Sequence, residues 1–288
     1  MMNVTTEWIL IGGAVLLLFI LLSLRMDFWF RFSGKKQKDE GWAFGQTTGN
    51  KEIQADQIQV YQNQAGIMAV LADGIGKENT GKVAAQVAVD AVLDAYEPYH
   101  VLNNPEYLFR TAFLEAHSRV QRTIGERRGG ASLGAVFMNG KQLYYALAGN
   151  IRIALLRNGE IIPVSKGQTM NVLAKDAYKG GQLSKQETIW SQEATRIWNY
   201  LGKDGFREIE VSKPPIVLKS GDIVLMASQG IYEELSWAEI EEILLKDLTI
   251  RAKADSIVME AEKKTAPDKE NGTVLLLAAE VTDEKNQF

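Results

Sequence analysis

Residues 67–75, IMAVLADGI, and residues 223–231, IVLMASQGI, are two apolar runs that each close on one polar side chain and a glycine. The first ends at Asp73 and Gly74, the second at Gln229 and Gly230. Short runs of this kind, bounded by turn residues, read as buried strands. An acid held at a rigid strand end, beside a glycine that lets backbone carbonyls approach, suits a metal ion. Asp-Gly is equally a common turn, so the pair alone leaves the plain structural reading open. The pattern gains chemical meaning where several acids meet. Asp56 precedes the first predicted strand, Asp73 ends the second, and Glu270 with Asn271 precedes the last.

Working outward, Ile58–Tyr61 and Gly66–Ala72 read as strands, and Lys82–Tyr96 as a helix with Val83, Ala84, Val87, Ala88, Ala91 and Val92 at helical spacing. Pro105 opens a second helix to about Ile124. Strands are expected at Ala131–Met138 and Gln142–Ala148, joined by the Asn139-Gly140 turn, and at Ile151–Arg157 and Glu160–Val164, joined at Asn158-Gly159. The region from Met170 to Tyr200 is mixed. Asp222–Ala227 reads as a strand, Ser236–Lys246 and Thr249–Lys264 as helices, and Thr273–Val281 as a final strand. Runs of strands with helix pairs between them predict an α+β fold of two packed sheets flanked by helices.

The chain has 288 residues, 46% of them hydrophobic, enough for one large core. A net charge of −4 with mixed signs gives no nucleic-acid footprint. With no cysteine and only His100 and His117, a metal would be held by oxygen, which favours Mg²⁺ or Mn²⁺ over zinc. From Trp8 to Leu24 no charge appears, about 25 Å of helix. Phe28, Trp29 and Phe30 follow as an interfacial belt. A basic n-region and a small-residue cleavage site are lacking, so the segment reads as a retained anchor. Arg25, Arg31, Lys35, Lys36 and Lys38 follow the span and only Glu7 precedes it, which predicts an N-terminus outside and a cytoplasmic C-terminal part. The expected organisation is an anchor over 1–32 contacting the bilayer through residues 8–24, a linker over 33–43, one domain over 44–282 and a tail over 283–288.

From about Phe44 to Val281 the chain resembles the metal-dependent PP2C-type (PPM) serine/threonine phosphatases. The matching blocks are Asp73-Gly-Ile-Gly76 followed by Gly81-Lys-Val-Ala-Ala85, then Gly130-Ala-Ser132, then Gly149-Asn-Ile-Arg152. Leu201-Gly202, the run from Leu218 to Gly230, and Glu270-Asn-Gly-Thr273 complete the set in the family's order. The resemblance implies a sandwich of two antiparallel sheets with paired helices outside. At its rim, two Mg²⁺ or Mn²⁺ ions activate the water that attacks phosphate. By position, Asp73 would bridge both ions and Gly74 would offer its carbonyl. Asp56 would hold a metal-bound water. Lys51 stands where the family has a phosphate-gripping arginine, keeping the charge but losing the two-pronged fork.

Three positions depart from the pattern: Gln229 and Asn150 replace metal-site aspartates, and Glu270 replaces a third by a longer carboxylate. Lys77 and Glu78 also replace the family's glycine and histidine. An amide oxygen can coordinate but offsets less of a cation's charge, so affinity should fall. Two functions remain open. One is a membrane-anchored phosphatase with a weakened metal site, acting on phosphoserine and phosphothreonine proteins. The other is a pseudophosphatase, a binding or regulatory module for a kinase-pathway partner.

Overall fold

A computed structural model describes residues 41–96, 103–184 and 195–279. The proposed anchor at 8–24, nearly all of the linker and the C-terminal tail lie outside the described residues. Among those described, no helix is long and apolar enough to cross a membrane.

Eleven strands among the described residues form two antiparallel sheets. The first has the order β1 (Trp42–Thr47), β11 (Gly272–Ala278), β10 (Ile223–Ala227), β6 (Arg152–Arg157), β7 (Glu160–Pro163). The second runs β2 (Gln57–Asn63), β3 (Gly66–Gly76), β4 (Gly129–Asn139), β5 (Gln142–Ala148), β8 (Glu210–Val211), with β9 (Ile216–Val217) also on β5. Alternation along each strand sorts its side chains to two faces. On β3, Ile67, Ala69 and Leu71 join Val136, Leu147, Ile153, Met226 and Leu275 in the core between the sheets. Met68, Val70 and Ala72 point the other way, into a second core with helices α1 (Thr80–Ala95) and α2 (Pro105–Ile124). Burial on both faces is why this strand is an unbroken apolar run. A third core lies outside the first sheet, where α5 (Trp237–Leu244) and α6 (Ile250–Lys263) cover Ala154, Leu225, Ala227, Val274 and Leu276.

Local signals fix the element ends. Asn104 caps α2 by accepting from the Tyr107 N–H at 3.1 Å, with Pro105 in the first turn. Ser236 and Glu239 form a reciprocal capping box at α5. Asn158 and Gly159 both take positive φ, 53° and 86°, the left-handed pair that a two-residue hairpin between β6 and β7 demands. Two short helices complete the described set, α3 (Met170–Lys179) and the single turn α4 (Gln229–Tyr232).

Strand β1 falls short of a sequence prediction because its WAFGQT pattern is brief and interrupted by Gly45. Its position is set by tertiary pairing with β11, Phe44 opposite Leu275. The turn α4 likewise replaces the plain strand end expected at Gln229.

Candidate active site

The two opening runs end side by side at the rim of the sandwich. Asp73 shares the inward parity of Leu71 and stands opposite Ser132 of β4. Strand β10 stops at Ala227, opposite Val274, and the chain turns into α4. Glycine is required after both polar residues because backbone crosses there. A Cβ on Gly74 would stand 2.4 Å from the Gly81 carbonyl oxygen and 2.8 Å from that of Ala55. A Cβ on Gly230 would stand 2.4 Å from the Glu270 oxygen and 2.6 Å from that of Asn271. These crossings bring the loop before β2, the loop before α1, the first residue of α4 and the residues just before β11 onto one cleft of about 580 Å³. Lys51, Asp73, Gly74, Glu78, Gln229 and Glu270 line it.

Asp56 lies just behind this lining, 1% exposed. Its Oδ2 accepts from the Ser228 hydroxyl at 2.6 Å and the Thr273 hydroxyl at 2.7 Å. Its Oδ1 is buried without a hydrogen-bond partner among the described residues. Burial pushes the Asp56 carboxyl well above the usual range and the charge of Asp73 adds to this, while the Ser228 and Thr273 hydrogen bonds oppose it. Ser228 and Thr273 were not singled out from the sequence, although each sits inside a matched block, Ser beside Gln229 and Thr after Asn271. Asn271, beside Glu270, is a staple: its Oδ1 accepts from the Ala55 N–H at 2.8 Å and its amide donates to the Thr48 carbonyl at 2.9 Å.

Asp73 accepts only a long bond, 3.4 Å, from the backbone N–H of Gln229. Burial pushes its carboxyl up to about 6; that bond opposes the shift, and the nearby charges of Glu270 and Glu233 reinforce it. Glu270 is held by Lys51 at 3.0 Å, and Lys51 also pairs with Asp268 at 2.6 Å. The Asp268 hydrogen bond raises the Lys51 ammonium above its ordinary value; burial opposes it, and Glu270 adds to the rise. The cation expected to grip phosphate therefore stands at the cleft, engaged by two carboxylates.

Gln229 does not offer its amide nitrogen to Asp73. Its Nε2 donates to Glu233 Oε1 at 2.9 Å, one helical turn on. Glu233 is a further acid near Asp73 that strand patterning could not reveal, because only the turn α4 brings it back.

Asn150 is not among the residues lining the cleft. It is 6% exposed, and its Nδ2 donates to the Tyr232 hydroxyl at 2.8 Å while that hydroxyl donates to the Asn150 carbonyl at 3.0 Å. Its Oδ1 has no partner among the described residues. The guanidinium of Arg152 lies over the Tyr232 ring, 5.0 Å from its centre, completing a latch between the start of β6 and α4.

The orphaned Asp56 Oδ1 and the raised Asp56 and Asp73 carboxyls are what a hard divalent cation would relieve. The donors are oxygens throughout, suiting Mg²⁺ or Mn²⁺. They are also sparse: among the described residues no three acids or histidines converge tightly enough to hold an ion unaided.

The solved serine/threonine phosphatase of S. agalactiae superimposes with a TM-score of 0.69 at 24% identity, covering 83% of this chain and 99% of its own. The catalytic domain of the serine/threonine phosphatase PstP, solved with two manganese ions, gives 0.59 at 22% identity over 82% of this chain and 96% of its own. In sequence, the protein phosphatase PhpP of Streptococcus pneumoniae is 27% identical over 235 residues, 79% of this chain and 92% of that protein. No family model matches. The chain has the PPM phosphatase fold. In sequence as well as fold it is similar to the PP2C-like serine/threonine phosphatases.

Proposed function

We propose that this protein is a membrane-anchored, Mg²⁺- or Mn²⁺-dependent phosphatase of phosphoserine and phosphothreonine proteins, with a weakened metal site. The reading is carried by the convergence of Asp73 with Glu270 on one cleft, backed by the buried Asp56 and its orphaned oxygen. Asp73, the Gly74 carbonyl and Glu270 would hold a cation, with Asp56 behind them. A divalent ion bound there lowers the pKa of water and neutralises phosphate charge. This chain's own residues do the rest. Asp56, fixed by Ser228 and Thr273, can hold a proton or a water at its free Oδ1. Lys51 can leave its carboxylates for the phosphate oxygens, as a point charge without arginine's fork. The charge-free stretch at 8–24, with the cations that follow it, supports an anchor with the domain on the cytoplasmic side.

A second reading, a pseudophosphatase serving a kinase-pathway partner, is favoured by one observation. The Gln229 amide is spent on Glu233, so that strand end contributes no charge to the site. Phosphate release from a phosphopeptide by the full-length protein in detergent decides between the two. Mn²⁺-dependent release that falls by about 100-fold or more in Asp73→Asn, the scale of a lost transition-state contact, supports the enzyme. No release at any millimolar Mn²⁺ concentration, with no heat of Mn²⁺ binding, supports the second reading instead.

A further inference from the structure

Beside the acidic cleft lies a second hollow of about 560 Å³ with the opposite charge. Lys77, Arg127 and Arg128 line it, with Tyr200 and a single carboxylate, Glu78. Ile75, Gly76 and Glu78 line both, so the basic groove adjoins the acidic cleft. Its floor is bare backbone where β3 meets β4, Ile75 opposite Gly130 and Gly76 opposite Gly129. A Cβ on Gly129 would sit 2.6 Å from the Ile75 oxygen and 2.8 Å from Thr80 Cγ2, so the two strands meet there with no room for a side chain between them. Arg127 is held in place at the end of α2, donating to the Ile124 and Thr123 carbonyls at 3.1 and 3.2 Å. Lys77 and Arg128 are exposed, and among the described residues neither is paired with a carboxylate.

Three cations facing one acid is unusual on a chain of net charge −4. Such a patch attracts anions locally although the whole molecule repels them. We propose that this groove docks an acidic stretch of the phosphoprotein substrate, within about three residues of the phosphorylated side chain. Three extended residues reach roughly 10 Å, and the two hollows share Ile75, Gly76 and Glu78. The inference deepens the phosphatase reading and rests on it for the placement of the phosphate. The chemistry it selects is separate: carboxylates, or further phosphates, meeting Lys77, Arg127 and Arg128.

The test uses the full-length protein in non-ionic detergent and three synthetic phosphopeptides differing only in flanks of aspartate, alanine or lysine. Binding is read by fluorescence anisotropy with EDTA present, and phosphate release is read separately with Mn²⁺. At about 50 mM salt the aspartate-flanked peptide is expected to bind about five-fold tighter than the alanine one, with the preference fading toward about 0.5 M as exposed charges are screened. Lys77→Ala with Arg128→Ala should abolish the preference, and Arg128→Lys alone should keep most of it. Equal binding of all three peptides, or a preference that survives in the double variant, overturns the proposal. So does a double variant that loses binding to anionic phosphatidylglycerol vesicles while keeping its peptide preference, which would assign the cations to lipid. Flank preference without phosphate release counts against the catalytic reading and leaves the groove standing. Release without flank preference does the reverse.

Discussion

The ends of β3 and β10 are built alike and finish differently. Both arrive from the core between the sheets, and both need a glycine where a second segment of backbone crosses within about van der Waals reach. At β3 the ladder continues past Asp73 to Gly76, so the carboxylate is gripped by a paired strand and has little hydrogen bonding to satisfy it. At β10 the ladder stops at Ala227, and Gln229 opens a helical turn whose Glu233 accepts its amide. One end stores unneutralised charge; the other is neutral and satisfied. The frame that presents a ligand and the charge that makes it one are therefore separable, and this molecule has kept the frame at both ends.

The largest expected effect tests the frame. Gly230→Val places branched carbon against the Glu270 and Asn271 carbonyls, and neither backbone can withdraw without pulling β11 from β10. A loss of about 3–5 kcal/mol, or no folded protein, is expected in urea unfolding. A variant within about 0.5 kcal/mol of the parent would mean that the close crossing is not what fixes residue 229.

Next in size is the charge. Gln229→Asp should raise Mn²⁺ affinity on the order of tenfold, since ligand charge sets affinity at oxygen sites. The same change should cost stability when metal is absent, because another carboxylate joins Asp73, Glu270 and Glu233. The pH dependence has a definite sign. The folded Asp73 carboxyl titrates at about 6 against an ordinary 3.8, and Asp56 is raised as well, so the folded state holds protons more tightly than the unfolded chain. The contribution of these two carboxyls to the stability of the metal-free protein is then fullest below about pH 4 and falls as pH rises through about 6. Saturating Mn²⁺ should flatten that fall and Gln229→Asp should steepen it. Calorimetric melting from pH 4 to 7 checks both, and a metal-free melting temperature that climbs over this range contradicts the assignment.

How much of this could be read in the sequence divides along the same line. Period-two and period-3.6 patterns placed most of the strands and the helices at 80–95, 105–124, 237–244 and 250–263, because each such element buries a face. They missed β1, whose partner is more than 200 residues away, and β8 and β9, two residues each and held only by pairing to β5. At the site, Asp73 and Glu270 were legible because a glycine or a strand start marks each. The hydroxyl clamp of Ser228 and Thr273 on Asp56 was not, since a serine or threonine near a strand end has many ordinary uses. Nor was Glu233, whose relevance depends on a single helical turn that propensity does not announce. Asn150 was legible as a departure from a pattern, but its burial against Tyr232 is a matter of packing.

That last residue carries the smallest effect and separates two accounts of a lost acid. If position 150 had merely drifted, its amide would be dispensable. The structure instead gives the amide a partner, and the Tyr232 hydroxyl closes the ring by donating back to the Asn150 carbonyl. Asn150→Ala should thus cost about 1 kcal/mol, the net worth of one hydrogen bond together with a buried hydroxyl left short of a donor. Asn150→Asp keeps the shape but turns the donor into an acceptor beside a hydroxyl already committed to a carbonyl. It should cost at least as much in metal-free protein, where the new charge is also buried, and part of that cost should return if Mn²⁺ reaches the new carboxylate. Urea unfolding of both variants with and without Mn²⁺ reads the difference. Equal stability of parent, alanine and aspartate forms would show that the latch is incidental, and that position 150, unlike the end of β10, has not exchanged its charge for a structural bond.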